Sequence, residues 1–215
     1  MSAVALSQGV ESRVFRHEAL LYAGDREFVT AVSSFVREGV HAGEPVLVLV
    51  PEPKIEMLRW SLQDDAANVR FGNMTEMGRN PGRVISIWQD FAAEHGAAPN
   101  LRGVGEPVWP GRTADELVEC ERHEELLNLA FADASLWLVC PYDTTTLDPS
   151  VIAEATRPHQ RAAAGRRHAA SLPIRRADTG DPFQGALADP PDGAEHVAFD
   201  GDGLGNVRAA ITQLA

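Results

Sequence analysis

Pro45-Val-Leu-Val-Leu-Val50 is an unbroken apolar run too short for a helix of ordinary length. A strand of this kind is buried on both faces, which requires a parallel sheet covered on each side by helices. The flanking patterns supply them. Residues 25–41 carry an apolar stripe at Phe28, Val32, Phe35, Val36 and Val40, with Gly43 just past the end, which predicts a helix. Strand-like segments at 17–23, 68–71, 101–106 and 136–140 alternate with helical patterns at 53–62, 81–94 (Pro near the first turn, Gly96 after the end), 113–131 and 148–158. Thr113-Ala-Asp-Glu116 has the form of a capping box opening its helix. Strands separated by helices form right-handed βαβ crossovers. The expected fold is therefore α/β and three-layered, with a mostly parallel five-stranded sheet and helices on both faces.

The 215 residues exceed one domain of about 150. The pattern changes near 157. Residues 157–176 hold six arginines and no acid, and 178–202 hold seven acids and no Lys or Arg, with frequent Pro and Gly. This composition reads as a linker of low order over 161–203. It is followed by a short helical pattern at 204–215 and preceded, at the other end, by an extension at 1–14. The arginines pair most simply with the chain's own acidic surface.

A net charge of −12 opposes binding to nucleic acid or to anionic membrane. Two cysteines, Cys120 and Cys140, exclude a disulfide scaffold and fit a reducing compartment. No apolar run approaches the ~20 residues of a membrane span, and the start lacks a signal-peptide pattern. A cytoplasmic location is the expectation.

In an open parallel sheet, ligands bind beyond the carboxyl ends of the strands. A nucleotide site after the first strand needs glycines that let backbone amides reach phosphate, and a lysine. Tyr22-Ala-Gly-Asp-Arg-Glu-Phe28 has one glycine and two carboxylates instead, so a phosphate loop is absent.

The segment Gly39-Val-His-Ala-Gly43-Glu44-Pro-Val-Leu-Val-Leu-Val50 nevertheless resembles RecA-like ATPases of the clock-protein type. Six motifs in order (His17-Glu-Ala-Leu-Leu-Tyr22, Glu27-Phe28, Gly43-Glu44-Pro-Val, Gly105-Glu106-Pro-Val-Trp109, Glu124-x-x-x-Asn128 and Cys140-Pro-Tyr142-Asp143) resemble the MEDS domain over about 15–160. That is the sensory domain named for methanogens and the methylotroph regulator DcmR. The resemblance implies a sensory rather than catalytic role, controlling a histidine-kinase-type or anti-sigma-factor output. Val207-Arg-Ala-Ala-Ile-Thr-Gln-Leu-Ala215 resembles the opening helix of such an ATPase domain, without its nucleotide box.

Glu106 ends the fourth strand, where a carboxylate serves a ligand or caps its own loop. Glu124 and Asn128 lie four apart on one helix face, in a pocket or in solvent. Tyr142 and Asp143 end the fifth strand, where Asp143 also suits an Asx turn. Trp109, between prolines, suits a pocket, while Trp60, Trp88 and Trp137 suit the core. Cys140 with His123 as base is disfavoured by the surrounding acids, which raise a thiol's pKa. His17, at the start of the first strand, is expected at the sheet edge opposite the other candidates, in a structural role. The seven histidines show no metal spacing, and no metal or cofactor is expected. The leading expectation is a site formed by Tyr22, Glu106, Trp109, Glu124, Asn128, Tyr142 and Asp143 that takes a small ligand. Glu124 and Asn128 would point across to Glu106 and Asp143. The alternatives are a hydrolase or isomerase using Glu106 and Glu124 as acid and base, and a protein-interaction module, such as a dimeric scaffold, for a sigma-factor pathway protein.

Overall fold

The computed structural model describes residues 15–96, 98–159 and 193, and the backbone of 161–164 and 172–173. The expected extension at 1–14, most of the linker and the 204–215 helix lie outside the described residues.

The element order is β1 (Arg16–Tyr22), α1 (Gly24–His41), β2 (Val46–Val50), α2 (Glu52–Leu62), a 3-10 turn (Gln63–Asn68), β3 (Val69–Asn73), α3 (Met74–Met77), α4 (Pro81–Glu94), β4 (Leu101–Gly105), α5 (Ala114–Ala130), β5 (Leu136–Asp143), α6 (Pro149–Thr156), β6 (Arg161–Ala164) and β7 (Leu172–Pro173). The sheet order is β3-β2-β4-β5-β1-β6-β7, parallel throughout except between β6 and β7. The five expected strands are there. The sheet continues by two short strands into residues that composition assigns to the linker.

Alternation along each strand divides the core into two layers. Leu20, Tyr22, Val48, Val104 and Val139 pack on one face with Phe28, Phe35, Ile55 and Leu58 of α1 and α2. Ala19, Leu47, Leu138, Cys140 and Tyr142 face the other way, with Trp88 of α4, Cys120 and Leu127 of α5 and Ala155 of α6. Five consecutive buried residues make up β2, as its sequence requires.

Two local devices explain sequence features. The Gly39 to Glu44 segment accommodates Arg102 of β4. A Cβ at Gly39 would lie 2.6 Å from Arg102 Cδ, Gly43 turns the chain at φ +71°, and Glu44 accepts from Arg102 Nε. Arg102 Nη1 also donates to Phe35 O at 2.8 Å, and the guanidinium lies over the Phe35 and Trp137 rings. The second device is the capping box. Thr113 Oγ1 accepts from Glu116 N at 3.3 Å, and Glu116 Oε2 accepts from Thr113 N at 2.8 Å.

β5 runs three residues beyond the expected end, through Pro141 to Asp143. Proline lacks an amide hydrogen, but β4 pairs with β5 only as far as Val139, so Pro141 removes no bond on that side. Trp60, expected in the core, is 79% exposed on α2, whereas Trp88 is fully buried.

Candidate functional site

The candidate residues divide between the two faces of the sheet. On the α1/α2 face, Tyr22 ends β1 and Glu106 follows β4. Tyr22 Oη donates to Glu106 Oε1 at 2.6 Å. Lys54, from the first turn of α2, was not singled out in the sequence. Its Nζ lies 2.5 Å from Glu106 Oε1, donates to Tyr22 Oη, and sits over the Tyr22 and Phe28 rings. Burial raises the Glu106 pKa and outweighs the opposing pull of Lys54. Burial, then the Glu106 charge, raises that of Tyr22. Asp143 accepts from Gly24 N, Thr145 N and Thr145 Oγ1, forming the Asx-type turn weighed in the sequence. Partial burial pushes its pKa up, but these donors hold it below the usual value.

On the α5/α6 face stands a second buried polar cluster. Glu124 Oε2 lies 2.9 Å from His17 Nε2 and 3.3 Å from His159 Nε2. Cys140 Sγ lies 3.4 Å from both Glu124 Oε2 and His17 Nε2. His17 Nδ1 meets Asn128 Oδ1 at 3.2 Å, and Asn128 Nδ2 donates to Pro158 O at 2.8 Å and to Glu124 O at 3.3 Å. His159 Nδ1 lies 2.8 Å from Ala155 O. His17, Glu124, Cys140 and His159 are each at most 1% exposed. Burial raises the pKa of Glu124, yet contacts from His159 and His17 hold it well below the usual value. Burial, then Glu124, pushes the Cys140 thiol and the Tyr142 hydroxyl well up. A thiol so placed is no nucleophile, as the acidic surroundings implied.

Beside this cluster, between α5 and α6, lies a half-open cavity of about 170 Å³. Val108, Leu117, Val118, Val151 and Ala155 give it apolar walls, and the buried Glu124 and Tyr142 line its inner end. Glu124 Oε1 and Tyr142 Oη make no hydrogen bond among the described residues.

The structure thus does not bring the seven expected residues into one site. Tyr22, Glu106 and Asp143 lie together, and Glu124, Asn128 and Tyr142 lie together on the opposite face. Trp109 joins neither group: it is half-buried, with the Arg112 guanidinium stacked 3.6 Å from its ring centre. Glu124 and Asn128 do not point across to Glu106 and Asp143, and His17 is not remote from them. A crossover helix runs back along the sheet, so the late residues of α5 lie over the starts of the strands, where His17 sits. His159 joins from the turn after α6. Lone histidines 142 residues apart leave no spacing signal, and only the adjacency of β1 and β5 makes the cluster visible.

Among the described residues, no helix is long and apolar enough to cross a membrane. The family model for the methanogen/methylotroph, DcmR sensory domain (MEDS) matches residues 16–160. No curated protein matches the sequence.

Proposed function

The chain belongs to the MEDS family of sensory domains, and from that premise we propose that it is a small-molecule receptor whose ligand occupies the cavity between α5 and α6. The observation that carries this reading is the cavity itself. It has about 170 Å³ and apolar walls, and the buried Glu124 and Tyr142 are among its lining residues, with no geometric hydrogen bond to Glu124 Oε1 or Tyr142 Oη among the described residues. Apolar cavities of about 150 Å³ take up molecules the size of benzene. Buried polar atoms without partners favour a ligand that supplies them. The ligand class is a small, mostly apolar molecule carrying one hydrogen-bond donor.

The site lies where a signal can leave the domain. α6 forms one wall, and the chain passes from it through His159 to β6, which pairs with β1. A ligand that binds one setting of α6 more tightly shifts the population of that setting by its differential affinity. The resemblance of the terminal residues to an ATPase opening helix makes a fused or associated histidine-kinase-type or anti-sigma-factor protein the proposed recipient. Acid–base chemistry by Glu106 and Glu124 is the weaker reading, because the two carboxylates belong to clusters on opposite faces of the sheet.

The experiment is an NMR titration with phenol and short-chain alcohols. Saturable shifts are expected in α5 and α6, and Ala155→Leu, which fills the cavity, removes them while leaving the α1/α2 resonances in place. Equal binding by wild type and Ala155→Leu, or no saturable shift with any probe, would overturn the proposal.

A further inference from the structure

We propose that His17, Glu124, Cys140 and His159 bind one divalent transition-metal ion of the zinc class in the core of the domain. The inference stands apart from the ligand proposed for the neighbouring cavity, with which the site shares only Glu124.

The hydrogen-bond network assigns the histidine tautomers. A carbonyl can only accept, so His159 carries its hydrogen on Nδ1, directed at Ala155 O, and a neutral ring leaves a lone pair on Nε2. Asn128 Nδ2 donates to two carbonyls, which turns Oδ1 towards His17 Nδ1 and fixes that hydrogen in the same way. In their neutral forms both rings present Nε2 lone pairs to Glu124 Oε2, itself an acceptor. A histidine held through its other nitrogen by a carbonyl or amide oxygen is the usual support of a metal ligand.

With both rings neutral, three electron-pair donors and a thiol converge where the described residues offer only the thiol hydrogen. A single proton on His17 would satisfy its contact with Glu124, while a neutral His159 would still face the same oxygen with a lone pair at 3.3 Å. One cation answers all of them. When it binds, Cys140 releases its proton to solvent, and the thiolate, the carboxylate and two neutral imidazoles make the site electrically neutral. Neutrality removes most of the cost of burying charge.

The dimensions come close to those of a tetrahedral site. Bond lengths of about 2.0–2.3 Å give tetrahedron edges of roughly 3.3–3.8 Å. The edges among His17 Nε2, Glu124 Oε2 and Cys140 Sγ are 2.9, 3.4 and 3.4 Å, and all four ligand atoms lie within 4.8 Å of one another. Small shifts admit the ion. Mixed imidazole, thiolate and carboxylate ligation suits zinc better than magnesium or calcium, which take oxygen. With four protein ligands the site is closed, so its role is structural or regulatory rather than catalytic. It would tie β1, α5 and β5 to the turn through which α6 leaves the domain.

The test uses the full chain without a histidine tag, stripped of metal and reloaded with Zn²⁺ or Co²⁺. About one metal per chain is expected, and the Co²⁺ form should show a thiolate-to-metal charge-transfer band and strong four-coordinate visible bands. Cys140→Ser should abolish the charge-transfer band, while Cys120→Ser keeps it. Asn128→Ala leaves every ligand in place and should weaken binding about 10–100-fold. The proposal fails if folded wild-type chain takes up no stoichiometric Zn²⁺ or Co²⁺, if the cobalt spectrum lacks the band, or if Cys140→Ser or Asn128→Ala binds like wild type.

Discussion

Lys54→Met separates the electrostatics of the α1/α2 face from its packing. Methionine keeps the apolar stem over Tyr22 and Phe28 and removes the ammonium that stands 2.5 Å from Glu106 Oε1. The Lys54 side chain is 15% exposed and that of Glu106 is 2% exposed, so the pair is largely desolvated. Breaking a buried pair costs about 3–5 kcal/mol. The lower end, about 3 kcal/mol, applies here, because Lys54 touches solvent and Glu106 can take up a proton. That protonation gives the effect a pH dependence. The folded-state pKa of Glu106 already lies above its ordinary value, and losing the Lys54 charge raises it further. The folded chain then holds a proton that the unfolded chain has released, so stability falls as pH rises through this window. Below an ordinary glutamate value of about 4.3 both states are protonated and the penalty disappears. Urea unfolding of wild type and Lys54→Met should show a loss of about 3 kcal/mol at pH 8 that is smaller at pH 5. Lys54→Met/Glu106→Gln should recover most of the loss at pH 8. An equal loss at both pH values, or a double variant no more stable than the single one, would refute the reasoning.

Two further substitutions test the packing that holds the site. Gly103→Ala on β4 places a Cβ 2.8 Å from both Leu138 Cδ1 and Trp88 Cζ3. The overpacking should cost about 1–3 kcal/mol in urea unfolding and perturb the tryptophan near-ultraviolet circular dichroism. Thr113→Ala removes the side-chain half of the capping box on α5, and a loss of about 1 kcal/mol is expected, with no change in metal content.

The βαβ order was legible in the sequence because it follows from local periodicity. The run at 45–50, the stripe from Phe28 to Val40 and the Thr113/Glu116 pair each encode their element within a few residues. The site was legible only in part. Tyr22, Glu106, Glu124, Asn128, Tyr142 and Asp143 were found as polar residues at strand ends or on one helix face. Their division between the two faces was not, because it depends on strand parity at Tyr22 and Tyr142 and on which neighbours each strand pairs with. His17 was given a structural role at the opposite sheet edge, and His159 was not singled out, for the same reason. Nothing near either in sequence marks it, and their meeting at Glu124 is set by β1 lying beside β5 and by the turn after α6. Lys54 sits in the first turn of an otherwise ordinary surface helix, and only the end of β1 beside it gives its charge a purpose. Trp60 shows the opposite limit: apolar character alone did not bury it.

The ligand is proposed to enter at the α5/α6 face. Hydrogen exchange followed by mass spectrometry, on the full chain with and without saturating phenol, tests it most directly. Slower exchange in 114–130 and 149–156, with 24–41 and 46–62 unchanged, is the expected result. Protection confined to the α1/α2 segments, or none anywhere at saturation, would contradict it.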